Sequence, residues 1–344
     1  IGGIAESIHL ALSVSGVSGF QSEWPWAILV TAITIAMLAT GSYSLVERVS
    51  TTLVVGFTFM TIVCVVLLPA EHAVNLTEAA RGLSFRLPDS LLIPAFTMFG
   101  ITGVGASELL AYPYWCLEKG YARFVGQRDD SEAWASRARG WMRVLRLDAW
   151  VSMAIYLVST LAFYLLGASV LHHTTGGEGL PDEKVVAALA QMYAPVMGTR
   201  ASTWFIVAGA IAVLYSTLFA ATAGNSRILT DFLRVTRRID PSSESARLRW
   251  VRILCVILPA AACGLYLLFG NLVLMVTVGG VMQGLSLPFI GGASVYMRYR
   301  RSDRRITPGL VWDIFLWISL LGLTAAATYS LWKEIARIRG LMGV

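Results

Sequence analysis

Long apolar runs alternate with short polar ones along the chain, and the apolar runs outlast the helices of a soluble core. Runs at 25–45, 51–69, 91–117, 148–171, 203–224, 250–269, 272–296 and 310–332 each approach the roughly 20 residues that a helix needs to cross about 30 Å of hydrocarbon. Eight spans are predicted on this pattern. A ninth, 1–18, opens at Ile1 inside apolar, helix-like sequence with no initiator Met, signal peptide or charged leader, so an N-terminal portion is expected upstream. The pattern predicts an all-α polytopic membrane protein with about nine transmembrane helices, organised as one transmembrane domain over 1–344.

Composition agrees: 56% of residues are hydrophobic and 14% charged, a balance that puts the chain in a bilayer rather than in water. The net charge of +6 does not point to nucleic acid, because no nucleic-acid motif accompanies it and the cations sit between spans. Lys119, Arg123, Arg128, Arg137, Arg139, Arg143 and Arg146 fall in 118–147; Arg227, Arg234, Arg237, Arg238, Arg247 and Arg249 fall in 225–249; five more arginines fall in 298–309. The alternate segments 70–90 and 172–202 carry two cations each. By the positive-inside rule the Arg-rich loops face the cytoplasm of a cell membrane and 172–202 faces outward. Lys333, Arg337 and Arg339 of the tail fall on the outer side by count, a smaller bias than that of the loops.

The run 91–117 differs from the others. It contains Gly100-Ile-Thr-Gly103-Val104-Gly105-Ala-Ser107-Glu108, three glycines beside a carboxylate at membrane depth. Each glycine costs a helix interior about 1 kcal/mol relative to Ala, and unwound backbone at that depth survives only where it lines a cavity or is buried in protein. Broken helices of this kind hold substrate in secondary transporters, and an intramembrane acid is by default a functional candidate. Glu108 with the carbonyls around Gly103 and Val104 and the Ser107 hydroxyl would make a hard-oxygen cation site. The structural alternative is that the glycines serve close helix packing and that Glu108 complements the positive end of the following half-helix. Pro113 offers a second kink.

Other polar positions inside spans are secondary candidates. Gln283, following Gly279-Gly280, is an amide that faces either a neighbouring helix or a cavity. Glu6 and His9 share a helix face, as a proton relay requires, or else sit at the interface. Ser216, Thr217, Thr222 and Asn225 form a polar seam that reads as contact between helices. Cys64, Cys116, Cys255 and Cys263 lack CxxC spacing and read as packing residues. His172-His173 has too few companion ligands for a metal site. Residues 131–147, with Trp134, Trp141, Val144 and Leu145 among arginines, suit an interfacial amphipathic helix as well as a plain linker. Asn75-Leu-Thr77 fits a glycosylation sequon without deciding anything.

Several later segments resemble the Nramp family of divalent-metal transporters. Ala223-Gly224-Asn225-Ser226-Arg227, running on to Asp231-Phe232-Leu233, is similar to the end of that family's eighth helix, where Ala-Gly-Gln precedes Gly-Phe-Leu. Arg249-Trp250-Val251-Arg252 and Pro259-Ala260 resemble its ninth, and Leu285-Ser286-Leu287-Pro288-Phe289 carries the Leu-Pro-Phe of its tenth. The resemblance implies a leucine-transporter-like (APC superfamily) inverted repeat of five plus five helices, with 91–117 as the sixth helix, 1–18 as the third and the first two outside this chain. It also implies an ion bound between the broken first and sixth helices. The family's Met-Pro-His motif falls at Leu109-Leu110-Ala111, and its tenth-helix glutamine at Gly280. Without a thioether the site should favour hard ions such as Mg²⁺ over Mn²⁺ or Fe²⁺.

The expected function is secondary-active, possibly proton-coupled symport of a divalent cation, bound by Glu108, Gly103, Val104, Ser107 and Gln283, with Glu6 and His9 relaying protons. The cation is cargo, so no cofactor is expected; the partners are the lipid bilayer and the metal ion, and the oligomeric state stays open. Two other readings remain: carriage of a small organic solute such as an amino acid, and a non-transporting receptor or scaffold. An enzyme is not expected, since Gly103-Val104-Gly105 follows an apolar helix rather than a strand and no nucleophile motif or His-rich cluster is present.

Overall fold

A computed structural model describes residues 1–16, 22–40, 43–69, 77, 92–101, 105–175 and 185–342, with backbone alone for 39–40, 43–50, 92–93, 172–175 and 333–342. Among the described residues there is no strand. The helices are α1 (Gly2–Val14), α2 (Trp24–Thr40), α3 (Tyr43–Val66), α4 (Leu92–Ile101), α5 (Ala106–Glu118), α6 (Tyr121–Val125), α7 (Glu132–Thr175), α8 (Val185–Gln191), α9 (Ala194–Met197), α10 (Thr199–Val235), α11 (Glu244–Phe269), α12 (Leu272–Arg300) and α13 (Leu310–Met342). Five stretches are long and apolar enough to cross a membrane: Glu132–Leu171, Thr199–Val235, Glu244–Phe269, Leu272–Arg300 and Leu310–Trp332. Their most apolar windows are only 6% to 33% buried, which leaves the remaining apolar faces for lipid rather than for a protein core. Trp24–Leu38 and Thr51–Val66 are shorter apolar helices.

Helix boundaries follow the local chemistry. At the start of α11 the Ser243 hydroxyl accepts the Ala246 N–H at 3.2 Å, and Glu244 lies in the first turn; Gly270 ends the helix at φ +63. Such a cap satisfies donors and acceptors that a helix end otherwise leaves open. Two boundaries differ from the sequence pattern. Residues 132–147 and the span after them form one continuous α7, and 225–249 is helical to Val235 and again from Glu244. The arginines of both segments therefore ride largely on helix extensions, which good helix formers between apolar spans allow. Residues 185–191 and 194–197, within the stretch expected as an outer loop, are helical too.

Two compact units divide the chain. The first comprises Ile1–Phe85 and Val158–Met275, and α10 is its hub, contacting α1, α2, α3, α8, α9 and α11. Cys64, Leu166, Val170, Val186, Ala190, Met192, Tyr193 and Ile206 form its main core, where the rings of Phe57 and Phe205 stack at 4.9 Å and Tyr193 shares a 2.9 Å hydrogen bond with Thr61. A smaller cluster joins Ala5, Ala27 and Cys263. All four cysteines are free and three are buried. The three hydroxyls of the polar seam of α10 bond within their own helix: Ser216 and Thr217 donate to the Val213 carbonyl and Thr222 to the Leu218 carbonyl. A hydroxyl so bonded needs no partner on a neighbouring helix.

The second unit comprises Arg86–Leu157 and Val276–Val344. Here α4 crosses α12 at glycines. A Cβ on Gly100 would strike the Gly280 carbonyl oxygen and come within 2.8 Å of the Gly284 nitrogen, and one on Gly280 would lie 2.8 Å from the Thr97 carbonyl oxygen. Backbones meet backbones, as the spacing Gly280-Val-Met-Gln-Gly284 permits in membranes. At the unit's Arg-rich end, Trp134, Ala135 and Ala138 pack with Val125 and Ile306, and the Arg305 guanidinium lies 4.9 Å above the Trp134 ring. Arg298 forms a two-pronged pair with Asp313 at 2.7 and 2.8 Å.

Candidate cation site at the broken helix

The helix expected over 91–117 is described as two, Leu92–Ile101 and Ala106–Glu118, and Gly105 ahead of the second is not helical. Thr102, Gly103 and Val104, with the two carbonyls assigned there by sequence, lie outside the described residues. Gly105 is the N-cap of α5, extended at φ −63 and ψ 158. Its N–H donates to Glu108 Oε2 at 2.6 Å. This is the acidic half of a capping box, with the third helical residue reaching back to the cap. Glycine supplies no side-chain oxygen for the other half.

The cap sets the local electrostatics. The N-terminus of a helix carries a partial positive charge that repels cations, and Glu108 reverses that sign where α5 begins. One carboxylate oxygen serves the cap. The other, Oε1, takes no hydrogen bond among the described residues, and the side chain is exposed.

Two neutral oxygens gather beside it. The Ser107 hydroxyl donates to Gln283 Oε1 at 3.3 Å, which ties the first turn of α5 to the middle of α12. Gly105 fits under this amide: a Cβ there would strike Gln283 Oε1 and lie 3.1 Å from both Gln283 Cδ and Glu108 Oε2. Ser107 and Glu108, singled out together in the sequence, and Gln283, singled out separately, thus converge around Gly105. The role of Gly105 was not legible as a contact, although Gly-x-x-Glu ahead of an apolar run is the visible trace of the cap. Gly280, the position aligned with the family's glutamine, packs against Thr97 instead.

Among the described residues no three His, Cys, Asp or Glu side chains are grouped as a metal cluster. The donor set at the break is one carboxylate, one hydroxyl and one amide oxygen, without sulfur or imidazole, which suits a hard cation better than a soft one. Glu6 and His9 lie elsewhere, in the first unit. The Glu6 carboxylate is buried and accepts the Val186 N–H at 2.8 Å at the start of α8; His9 is half-buried and has its own partner. Close by, Tyr266 donates to Glu23 at 2.9 Å.

The model of the natural resistance-associated macrophage protein-like (Nramp) family matches residues 1–333. No curated protein matches the chain. The family match runs from α1 through both halves of the broken helix to the end of the last apolar span, and the chain accordingly belongs to the Nramp family, a family of divalent-metal transporters rather than enzymes.

Proposed function

We propose that this protein is a secondary-active transporter whose cargo is a hard divalent cation, bound at the break between α4 and α5. Glu108 Oε1, the Ser107 hydroxyl and the Gln283 amide oxygen are the ligands, joined by carbonyls of Gly103 and Val104. The observation that carries this reading is a carboxylate fixed by its own helix cap at a membrane-depth break, with one oxygen uncommitted. The setting is a leucine-transporter-like inverted repeat with about nine of its membrane helices in this chain, one transmembrane domain over 1–344, and Arg-rich segments on the cytoplasmic side of the cell membrane. Movement is alternating access, in which one helix bundle of such a fold rocks against another, and protons move through Glu6 and His9.

The cap also argues against an amino acid as cargo. A substrate carboxylate would seek the free N–H groups at the start of α5, and Glu108 already occupies that position. The missing thioether at Leu109-Leu110-Ala111 favours Mg²⁺ over Mn²⁺, since soft ligands are what hold the softer ion.

Uptake of Mg²⁺ and Mn²⁺ into proteoliposomes by the full-length protein and its Glu108→Gln variant tests the reading. Glutamine still accepts the Gly105 N–H, so the helix start survives while the charge is lost. Uptake should fall about tenfold or more, the range seen when groups supporting a metal are removed. Undiminished uptake of both ions would remove Glu108 from the site.

A further inference from the structure

The link between α10 and α11 shapes an open cavity of about 470 Å³, lined by Phe232, Leu233, Thr236, Arg238, Ile239 and Trp250. Its shape comes from how α10 ends. The Arg238 N–H donates to the Leu233 carbonyl at 2.9 Å, and Arg237 takes the left-handed conformation at φ +55, the arrangement that reverses a chain at a helix C-terminus. The chain folds back over Phe232 and Leu233, and α11 brings Trp250 alongside.

The acids of this turn are committed to other groups. Asp231 pairs with Arg234 at 3.4 Å and Arg247 at 3.5 Å, and Glu244 pairs with Arg247 at 2.8 Å. Asp240 accepts the Ser242 N–H at 2.9 Å and hydroxyl at 2.7 Å. Arg234 also donates to the Pro241 carbonyl. Arg238 lines the cavity and forms no ion pair among the described residues. Over 231–252 six arginines face three acids, so the turn as a whole lacks counter-charge. It also joins two helices long and apolar enough to cross a membrane, Thr199–Val235 and Glu244–Phe269.

We propose that this cavity binds one anionic phospholipid, its phosphate on the Arg238 guanidinium and its glycerol and first acyl carbons against Phe232, Ile239 and Trp250. A guanidinium matches phosphate in charge and in hydrogen-bond geometry, and tryptophan is at home at the level of the headgroups. The apolar walls decide between sources of phosphate. A soluble anion would use Arg238 and leave Phe232, Ile239 and Trp250 wet, whereas a lipid uses both.

The test is native mass spectrometry of the full-length protein after delipidation and titration with phosphatidylglycerol or phosphatidylcholine, with unfolding temperature as a second readout. One phosphatidylglycerol should be retained in preference to phosphatidylcholine and should raise the unfolding temperature. Arg238→Gln should weaken that retention about fivefold, the share of one surface cation near an anionic membrane, Arg238→Lys, which keeps the charge and loses the fork, should fall between the two, and Arg249→Gln, outside the lining, should change it less than Arg238→Gln. Free glycerol phosphate should neither bind nor stabilise. The proposal is overturned if phosphatidylcholine is held equally well, if glycerol phosphate binds as tightly as the lipid, or if Arg238→Gln retains phosphatidylglycerol like the unaltered protein. Arg238 is exposed, so its variants should unfold, without lipid, at the parent temperature; a lowered temperature with lipid selectivity intact also overturns the assignment.

Discussion

Glu108 performs a structural task and offers a chemical one, and the two use different oxygens. Oε2 closes the first turn of α5 on the Gly105 N–H, which fixes the side chain and lowers the entropy lost when a cation arrives. Gly105 is the neighbour that makes room. Its backbone conformation is open to any residue, so the effect of a substitution there comes from contact alone. Gly105→Ala should displace the Gln283 amide, loosen the Ser107–Gln283 bond and reduce uptake about tenfold, with a fall in stability of roughly 1 kcal/mol. Parallel uptake and thermal-unfolding measurements check this; a stability loss with full transport would leave the amide no part in binding.

Between elements, the crossing of α4 and α12 predicts a graded response to added methyl groups. At Gly100 the methyl would meet backbone atoms of Gly280 and Gly284, which cannot step aside; at Gly284 it would meet the Phe96 ring at 2.9 Å, which can turn; at Gly292 it would meet nothing within 4 Å. Gly100→Ala should therefore destabilise by about 1–3 kcal/mol, Gly284→Ala by less, and Gly292→Ala hardly at all. Unfolding temperatures in detergent rank the three. A second element-scale device joins the links on either side of α7 and α13. Asp303 pairs with Arg305 at 2.9 Å and Arg128 at 3.0 Å, while Arg305 donates to the Asp129 and Ser131 carbonyls. Hydrogen bonds from the Arg305 side chain and backbone, with the charges of Arg305 and Arg128, hold the Asp303 carboxyl well below the usual carboxylate range. A depressed folded-state pKa contributes stability above the unfolded value and loses it as pH falls toward the folded one. Hydrogen exchange in 126–131 should thus be slow at neutral pH and quicken only as pH drops below the ordinary Asp range; Asp303→Asn should show the fast exchange at neutral pH.

At the scale of the molecule, the family assignment makes the chain a membrane transporter of divalent metal, and the proposed proton route through Glu6 predicts a pH response. Glu6 is buried in the first unit and bonded to the Val186 N–H, a bond that glutamine can also accept. Glu6→Gln should leave folding intact while flattening the dependence of uptake on external pH. Uptake at a series of pH values decides it: an unchanged profile would take Glu6 out of the proton route.

The sequence by itself determined the helical membrane class, because crossing a bilayer demands apolar length and length is written in the chain. It also determined where one helix must fail: glycines and an acid at membrane depth are incompatible with an undisturbed span, and Gly105 is extended where a continuous helix would run. Only the tertiary structure decided what those residues touch. Gln283 lies 176 positions from Ser107, and no periodicity reports a contact between distant helices. The same holds for the glycines. Gly100 packs against α12, as the structural alternative had it, whereas Gly105 caps α5 beneath an amide; a glycine's role is set by whatever approaches its missing side chain. The arginines, countable in the sequence, gained their partners in the same way, since an ion pair is a fact about neighbours in space and charge alone names no neighbour.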